Sequence, residues 1–327
     1  MQTLRRDALR LLGLGLGGSA LSGSFVGKAF AEPPAAYIDQ YCYCSDILAA
    51  VPAAELVQVL GTGPNHTLWA SSIKREVEPG IWVGRSVFTN KESIRLKFQI
   101  DAKRHYIDYM AERGGSWGLV NWARAVPGEL MGYPKGTSIA ALYQTRSAKG
   151  SLDLNGRIGH DSEMFRIKAL AEKGKPAAAD SLPPGSYLNT ASEVVNAPAS
   201  DLMAFVSDAN AFGKWTWGRA PRTKVGDTFQ CKSDFGEPDV FLKVVADREH
   251  KTVDYFTGSK PDALLLNQSA RVFEGPVFGH DAKASFVTFT RWRAAGQREY
   301  DWQRMQASQV QDSRMVKTLL ENGVRAG

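Results

Sequence analysis

The chain has 327 residues, 43% hydrophobic and 23% charged, which is ordinary globular composition and length enough for two domains with cores of their own. Disordered and fibrous classes are excluded. The formal charge of +6 falls to about +3 once the first thirty-one residues are set aside, because they hold Arg5, Arg6, Arg10 and Lys28 against Asp7. With no block of like charges elsewhere, nucleic acid is not an expected partner.

At the N-terminus, Arg5-Arg6 precede an apolar, glycine-rich run from Leu11 to Gly27, followed by Ala29-Phe30-Ala31, the small-x-small form of a signal-peptidase site. Residues 1–31 are therefore predicted to be an export signal, leaving Glu32 first in the mature chain. The paired arginines resemble a bacterial twin-arginine (Tat) signal, although Leu4 and Ala8 depart from its pattern. The expected location is periplasmic or secreted. No later stretch approaches 18 apolar residues, so no integral membrane span is expected in the mature chain. Gly13-Leu14-Gly15-Leu16-Gly17-Gly18 satisfies G-x-G-x-x-G, but no strand precedes it and no βαβ unit surrounds it, so nucleotide binding is not inferred.

Beyond the signal the chain repeats itself. Residues Ala197 to Phe256 lie without a gap over Val51 to Met110, 146 residues earlier, and ten of sixty positions are identical, where composition alone would give roughly four. The matches include Pro52/Pro198, Leu56/Leu202, Trp69/Trp215, Gly80/Gly226, Asp101/Asp247, Asp108/Asp254 and Tyr109/Tyr255. Each copy opens with a strand-like run, Tyr37 to Ala49 and Tyr187 to Val195. A proline then starts a short helix at a position where a missing N–H costs nothing. Apolar faces follow at Leu56, Val57, Val59 and Leu60, and at Leu202, Phe205 and Val206. A loop ends in Trp69 or Trp215, and Gly80 and Gly226 mark turns into strands.

Ile107 and Tyr109 share one strand face opposite Asp108, an arrangement repeated at Val253-Asp254-Tyr255. Further strands are predicted at Leu119–Val126, Ser138–Ser147, Ser269–Glu274 and Ser285–Ala294. Each copy ends in a helical pattern, Met164 to Gly174 and Trp302 to Gly323, with glycine at the expected C-cap. Asp161-Ser162-Glu163-Met164 and Asp312-Ser313-Arg314-Met315 form an imperfect echo at a spacing of 151. Residues 175–185, rich in proline and alanine, read as a linker between domains 32–174 and 186–327. Residues 186–327 are expected to fold alone.

Strand, proline-initiated helix, loop ending in tryptophan, several antiparallel strands and a long terminal helix together resemble the SRPBCC or START-related, helix-grip superfamily. Asn196-Ala197-Pro198-Ala199 through Phe205-Val206-Ser207-Asp208 and Trp215 are closest to the polyketide cyclase/dehydrase and lipid-transport members. The resemblance implies an α+β fold of two tandem helix-grip domains, each a curved antiparallel sheet around a C-terminal helix with an apolar cavity between. It implies a hydrophobic or amphipathic small molecule as partner. It carries over no catalytic residue, because the superfamily shares none.

Candidate site residues follow from strand and helix faces. Phe289, Arg291 and Arg293 share one strand face opposite Trp292. If the Phe289 face is inward, Arg291 can pair with a ligand carboxylate or phenolate; if Trp292 is inward, the arginines form a solvated edge. Gln306 and Gln309 interrupt the apolar stripe of the terminal helix. Tyr109, Trp122, Tyr143, Trp215 and Tyr255 are the aromatic cavity candidates, with plain core packing as their alternative. Cys42 and Cys44 share a strand face, and with Cys231 they are buried thiols, part of a disulfide, or a metal or redox site. The five histidines lack metal-binding spacing, and no metal or cofactor is inferred; His160 and His280 lie at a cavity mouth or in solvent.

Three functions fit: a periplasmic binding or carrier protein for a hydrophobic or amphipathic molecule, a cofactor-independent cyclase, dehydratase or hydratase, and an interaction module with filled cavities. For the enzyme, Asp108, Asp254, Tyr109 and Tyr255 are the first proton-transfer candidates.

Overall fold

The computed structural model describes residue 39 and residues 41–70, 73–85, 92–146, 154–173, 182–216, 219–233 and 238–326. The expected export signal, residues 1–31, and most of the expected linker lie outside the described residues.

Repeat one opens with β1 (Cys42–Ala49), then α1 (Ala53–Gly61) and α2 (Gly63–Trp69). Pro52 supplies the first turn of α1, its carbonyl accepting from the Glu55 and Leu56 N–H groups at 3.0 and 3.1 Å; Pro198 does the same for Asp201 and Leu202 at 3.0 and 3.1 Å. Helix α2 occupies the stretch where the sequence predicts only a loop ending in Trp69. Pro64 in its first turn is the local cause. Strands β2 (Ile73–Glu78), β3 (Ile81–Arg85), β4 (Glu92–Asp101), β5 (Tyr106–Arg113), β6 (Ser116–Pro127) and β7 (Ser138–Thr145) follow, closed by α3 (Leu154–Ala171).

Repeat two has the same order: β8 (Leu188–Val195), α4 (Ala199–Ser207), α5 (Ala209–Trp215), β9 (Arg219–Val225), β10 (Thr228–Ser233), β11 (Val240–Asp247), β12 (Thr252–Gly258), β13 (Leu265–Glu274), β14 (Ser285–Trp292) and α6 (Glu299–Glu321). Here Asp208 caps the second helix through the Asn210 N–H at 2.8 Å. Each sheet is seven-stranded and antiparallel, ordered β1-β7-β6-β5-β4-β3-β2 and β8-β14-β13-β12-β11-β10-β9. The turns before β5 and β12 place His105 and Lys251, 146 residues apart, at φ 58° and 52°. Left-handed backbone at a non-glycine residue is uncommon, so its recurrence marks a conserved turn geometry between the copies.

The terminal helices are locked to their sheets identically. Lys168 Nζ donates to the Leu48 carbonyl at 2.7 Å and to Glu172 at 2.6 Å, while Glu172 accepts from the Ala50 N–H at 2.6 Å. In repeat two, Lys317 donates to the Val194 carbonyl and to Glu321 at 2.8 Å, and Glu321 accepts from the Asn196 N–H at 2.9 Å. These bonds set the helix correspondence at 149 residues. The Asp-Ser-x-Met echo at 151 is thus a coincidence of local sequence: the true counterparts are His160 with Gln309 and Glu163 with Asp312.

One face of each sheet packs on its helices, and the other packs on the second sheet along β1 and β5–β7 in repeat one and β8 and β12–β14 in repeat two. Strands β1 and β14 are consequently buried at all eight positions. Between the sheets lies a third core cluster, with Cys42, Cys44, Leu48, Trp122 and Tyr143 from repeat one and Leu266, Phe273, Phe278, Phe286 and Trp292 from repeat two. Residues Tyr37–Gly327 form one compact unit.

Charged pairs around this layer are reciprocal. Arg124 binds Asp254 with two bonds of 2.8 and 2.7 Å, and Arg271 binds Asp108 with two of 2.7 and 2.9 Å. Arg104 pairs with Asp101 and with Asp247, while His250 reaches Asp247 and, at 4.0 Å, Asp101. Tyr143 and its counterpart Thr290 share a hydrogen bond of 3.2 Å. A surface that pairs with its own copy is an isologous interface, here built within one chain. The repeated aspartates of the sequence belong to it.

Candidate functional site

Between sheet and terminal helix, each repeat buries a set of polar side chains against an aromatic core, and this packed set is its polar slot. In repeat two, strand alternation puts Val287, Phe289 and Arg291 on the helix side and Phe286 and Trp292 in the inter-sheet layer. Arg291 is only 8% exposed. Its guanidinium donates to Asn267 and reaches Asp312 of α6 at 3.5 Å, while Nε has no hydrogen-bond partner. Burial pulls its pKa below the ordinary arginine range, against the opposing charge of Asp312. Gln309, fully buried, accepts from Asn189 Nδ2 at 2.7 Å and donates to the Asn189 carbonyl at 3.3 Å. Gln306 is half-buried.

Phe289 lies 5.6 Å from Trp215, ring to ring, and Trp215 lies 5.8 Å from Tyr255 and 4.9 Å from Phe212. The Trp215 indole N–H is buried and has no partner, whereas its counterpart Trp69 donates to the Val59 carbonyl at 2.8 Å. Tyr255 is committed elsewhere: its hydroxyl donates to the Val206 carbonyl at 2.6 Å, as Tyr109 does to the Leu60 carbonyl at 3.0 Å. These bonds satisfy carbonyls in the last turns of α4 and α1. Burial raises the pKa of both phenols. Neither is a free acid.

The slot of repeat one has other chemistry. Gln144 stands where repeat two has Arg291 and accepts from the Tyr43 hydroxyl. His160 of α3 packs on Tyr43 at 5.5 Å, and Glu163, 7% exposed, occupies the place of Asp312. His66 of α2, also 7% exposed, packs among Trp69, Phe98 and Tyr109 at 4.0, 4.8 and 5.3 Å. Neither His66 Nδ1 nor His160 Nδ1 has a hydrogen-bond partner. Burial lowers the His66 pKa to about 3, with a contribution from His160, and lowers that of His160 against Glu163 and Asp161.

Trp122 and Tyr143 stand apart from both slots. They stack at 4.9 Å in the inter-sheet layer, because alternation turns Ala123 and Leu142 to the helix side instead. Asp108 and Asp254 are engaged by the arginines of the opposite repeat. Burial would raise the Asp254 carboxyl, but Arg124 and Ser269 hold it below the ordinary range. Beside these pairs a cleft of about 230 Å³ is lined by Asp101, Tyr106, Asp108, His250 and Arg271. The three cysteines are buried, and among the described residues they form no disulfide. Asp247, Glu249 and His250 come within 4.8 Å of one another on the surface, where Arg104 already engages Asp247.

His66 and Glu163 are not among the site candidates read from the sequence, but a signal is present: at the position of His66, repeat two has Phe212. A histidine where its twin keeps phenylalanine is a polar group set into an apolar position.

The fold is a tandem helix-grip. No protein-family model matches the chain, and no curated protein matches it. Among solved structures it is similar to the di-domain ARO/CYC BexL from the BE-7585A biosynthetic pathway, with 14% identity, 88% of this chain and 99% of that one covered, and a TM-score of 0.32. It is also similar to the di-domain ARO/CYC StfQ from the steffimycin biosynthetic pathway, with 10% identity, 86% and 98% covered, and a TM-score of 0.30. The Zhui aromatase/cyclase from Streptomyces sp. R1128 is similar over 40% of this chain and 93% of its own, with 16% identity and a TM-score of 0.30.

Proposed function

We propose that this is an exported binding or carrier protein for an amphipathic small molecule, held in repeat two with its acceptor group at Arg291 and its apolar body along Phe289 and Trp215. The observation that carries this reading is a pair of unmet donors, Arg291 Nε–H and Trp215 Nε1–H, buried in aromatic surroundings on the helix side of one sheet. Buried donors without partners are uncommon in native proteins and costly. A carboxylate or phenolate answers the guanidinium, and a second acceptor along the apolar skeleton answers the indole. Arg291 then takes a second acceptor in place of its long contact to Asp312, while Gln309 and Asn189, already bonded to each other, hold the helix against the strand. Export by the twin-arginine route supports a carrier of periplasmic molecules, on the strength of Arg5-Arg6 and Ala29-Phe30-Ala31.

Protein purified from the periplasm, examined by native mass spectrometry and solvent extraction, should release an apolar anion, and Arg291→Met should release far less. Equal recovery from the variant would remove Arg291 as the anchor.

A further inference from the structure

The two slots are chemically opposite. Repeat two buries unmet donors, whereas repeat one buries two imidazole nitrogens without partners. We propose that repeat one is a second small-molecule site, for a ligand that presents hydroxyl or phenol donors, recognised by His66 Nδ1 and His160 Nδ1. This inference rests on the proposal that the grips bind small molecules, but it uses none of the residues of the Arg291 site.

His66 carries the argument furthest. It is 7% exposed, ringed by Trp69, Phe98 and Tyr109, and has no hydrogen-bond partner at Nδ1. Repeat two shows that phenylalanine fills this place without an unmet polar atom, so packing does not require the imidazole. His160 is the analogous substitution on the helix. Its counterpart Gln309 spends both ends of its amide on Asn189, but Tyr43, at the position of Asn189, turns its hydroxyl to Gln144 and leaves His160 Nδ1 unmet. A neutral imidazole with its proton on Nε2 presents a bare acceptor at Nδ1. Burial keeps both rings neutral at physiological pH, since it depresses both imidazole pKa values. In that tautomer the two acceptors, one on α2 beside Trp69, Phe98 and Tyr109 and one on α3 beside Tyr43, suit a ring or chain bearing hydroxyl hydrogens. An anion is disfavoured, because the arginine of repeat two is a glutamine here and Glu163 is buried in the same slot.

The test uses three probes of one shape: 1-naphthol, 1-naphthoate and 1-methylnaphthalene, titrated into the full chain by calorimetry. His66→Phe and His160→Gln each install the residue that repeat two carries at that place, and thermal melts check that the fold is kept. The expected result is that 1-naphthol binds more tightly than 1-methylnaphthalene and loses about tenfold in affinity in either histidine variant, the worth of one hydrogen bond. Arg291→Met should leave 1-naphthol unchanged and weaken 1-naphthoate. Unchanged 1-naphthol affinity in both histidine variants, or no 1-naphthol binding at all, overturns the proposal; failure of 1-naphthoate alone bears on repeat two. Long-range proton–nitrogen spectra give an independent readout. Both Nδ1 atoms should be unprotonated at neutral pH and shift on saturation with 1-naphthol, and a proton on both overturns the assignment.

Discussion

Asp46 should make the protein less stable as pH rises from about 4 to about 7, and Asp46→Asn should abolish that loss. Asp46 lies on β1, fully buried against the start of repeat two, where Oδ1 accepts from the Tyr187 N–H at 2.9 Å and Oδ2 has no partner. Burial pushes its pKa from 3.8 to about 7; the Tyr187 N–H opposes the rise and the charge of Asp161 adds to it. Between about pH 4 and pH 7 the folded chain therefore holds a proton that the unfolded chain has lost. Stability then falls by roughly 1.4 kcal/mol per pH unit, on the order of 4 kcal/mol across the window. Asparagine imitates the protonated acid, with an acceptor for Tyr187 and a neutral second atom.

His66 works in the opposite sense. Its folded pKa of about 3 lies below the ordinary 6.5, so falling pH protonates the unfolded chain first and destabilises the fold. Over their shared window the two slopes offset each other. Urea denaturation of the wild type and Asp46→Asn at half-unit pH steps should give curves that meet near pH 4, diverge in the variant's favour up to about pH 7 and run parallel above. A gap that stays constant with pH would show that Asp46 titrates as an ordinary carboxylate and refute the reasoning.

Arg124→Met strips the charge from a two-bond pair with Asp254 and should cost roughly 2–4 kcal/mol, with part recovered in the double variant carrying Asp254→Asn; denaturation of the full cycle gives the coupling, and additive losses would count against the pair. A fragment of residues 186–327 should keep its own helix-side core but expose Leu266, Phe273, Phe286 and Trp292, so sedimentation should show a dimer joined through that face; a monomer at every concentration contradicts this. Lysine at both Arg5 and Arg6 should strand the precursor in the cytoplasm, as cell fractionation would show, and unchanged export rules out the twin-arginine route.

The repeat, the proline-started helices and most strands could be read from the chain because they depend on spacing and local chemistry, as at Pro52/Pro198 and Gly80/Gly226. Strand alternation likewise put Tyr109 and Tyr255 on the inward face, and set Phe289 and Arg291 opposite Trp292 without deciding between the two faces. What alternation cannot tell is which of two buried faces a residue meets. Both faces of the central strands are covered, so Trp122 and Tyr143 had the same pattern as cavity residues while belonging to the layer between the sheets. Asp108 and Asp254 looked like candidate acids for a related reason: their arginines, Arg271 and Arg124, stand more than a hundred residues away. The helix correspondence was misread because Asp-Ser-x-Met is a stronger string than the lysine–glutamate lock, whose meaning depends on the carbonyls of Leu48 and Val194.

Calorimetric titration of 1-naphthoate into the wild type and Arg291→Met tests the binding account most directly. Methionine keeps apolar volume and removes the donors, so affinity should fall tenfold to a hundredfold, about 1.5–3 kcal/mol for hydrogen bonds to a charged partner. Stability should fall, because methionine removes the guanidinium that faces the buried Asp312 carboxylate and Asn267, so the titrations are run where thermal melts show both proteins folded. Equal affinity for the two proteins, or no uptake of 1-naphthoate by the wild type, would contradict an acceptor site at Arg291.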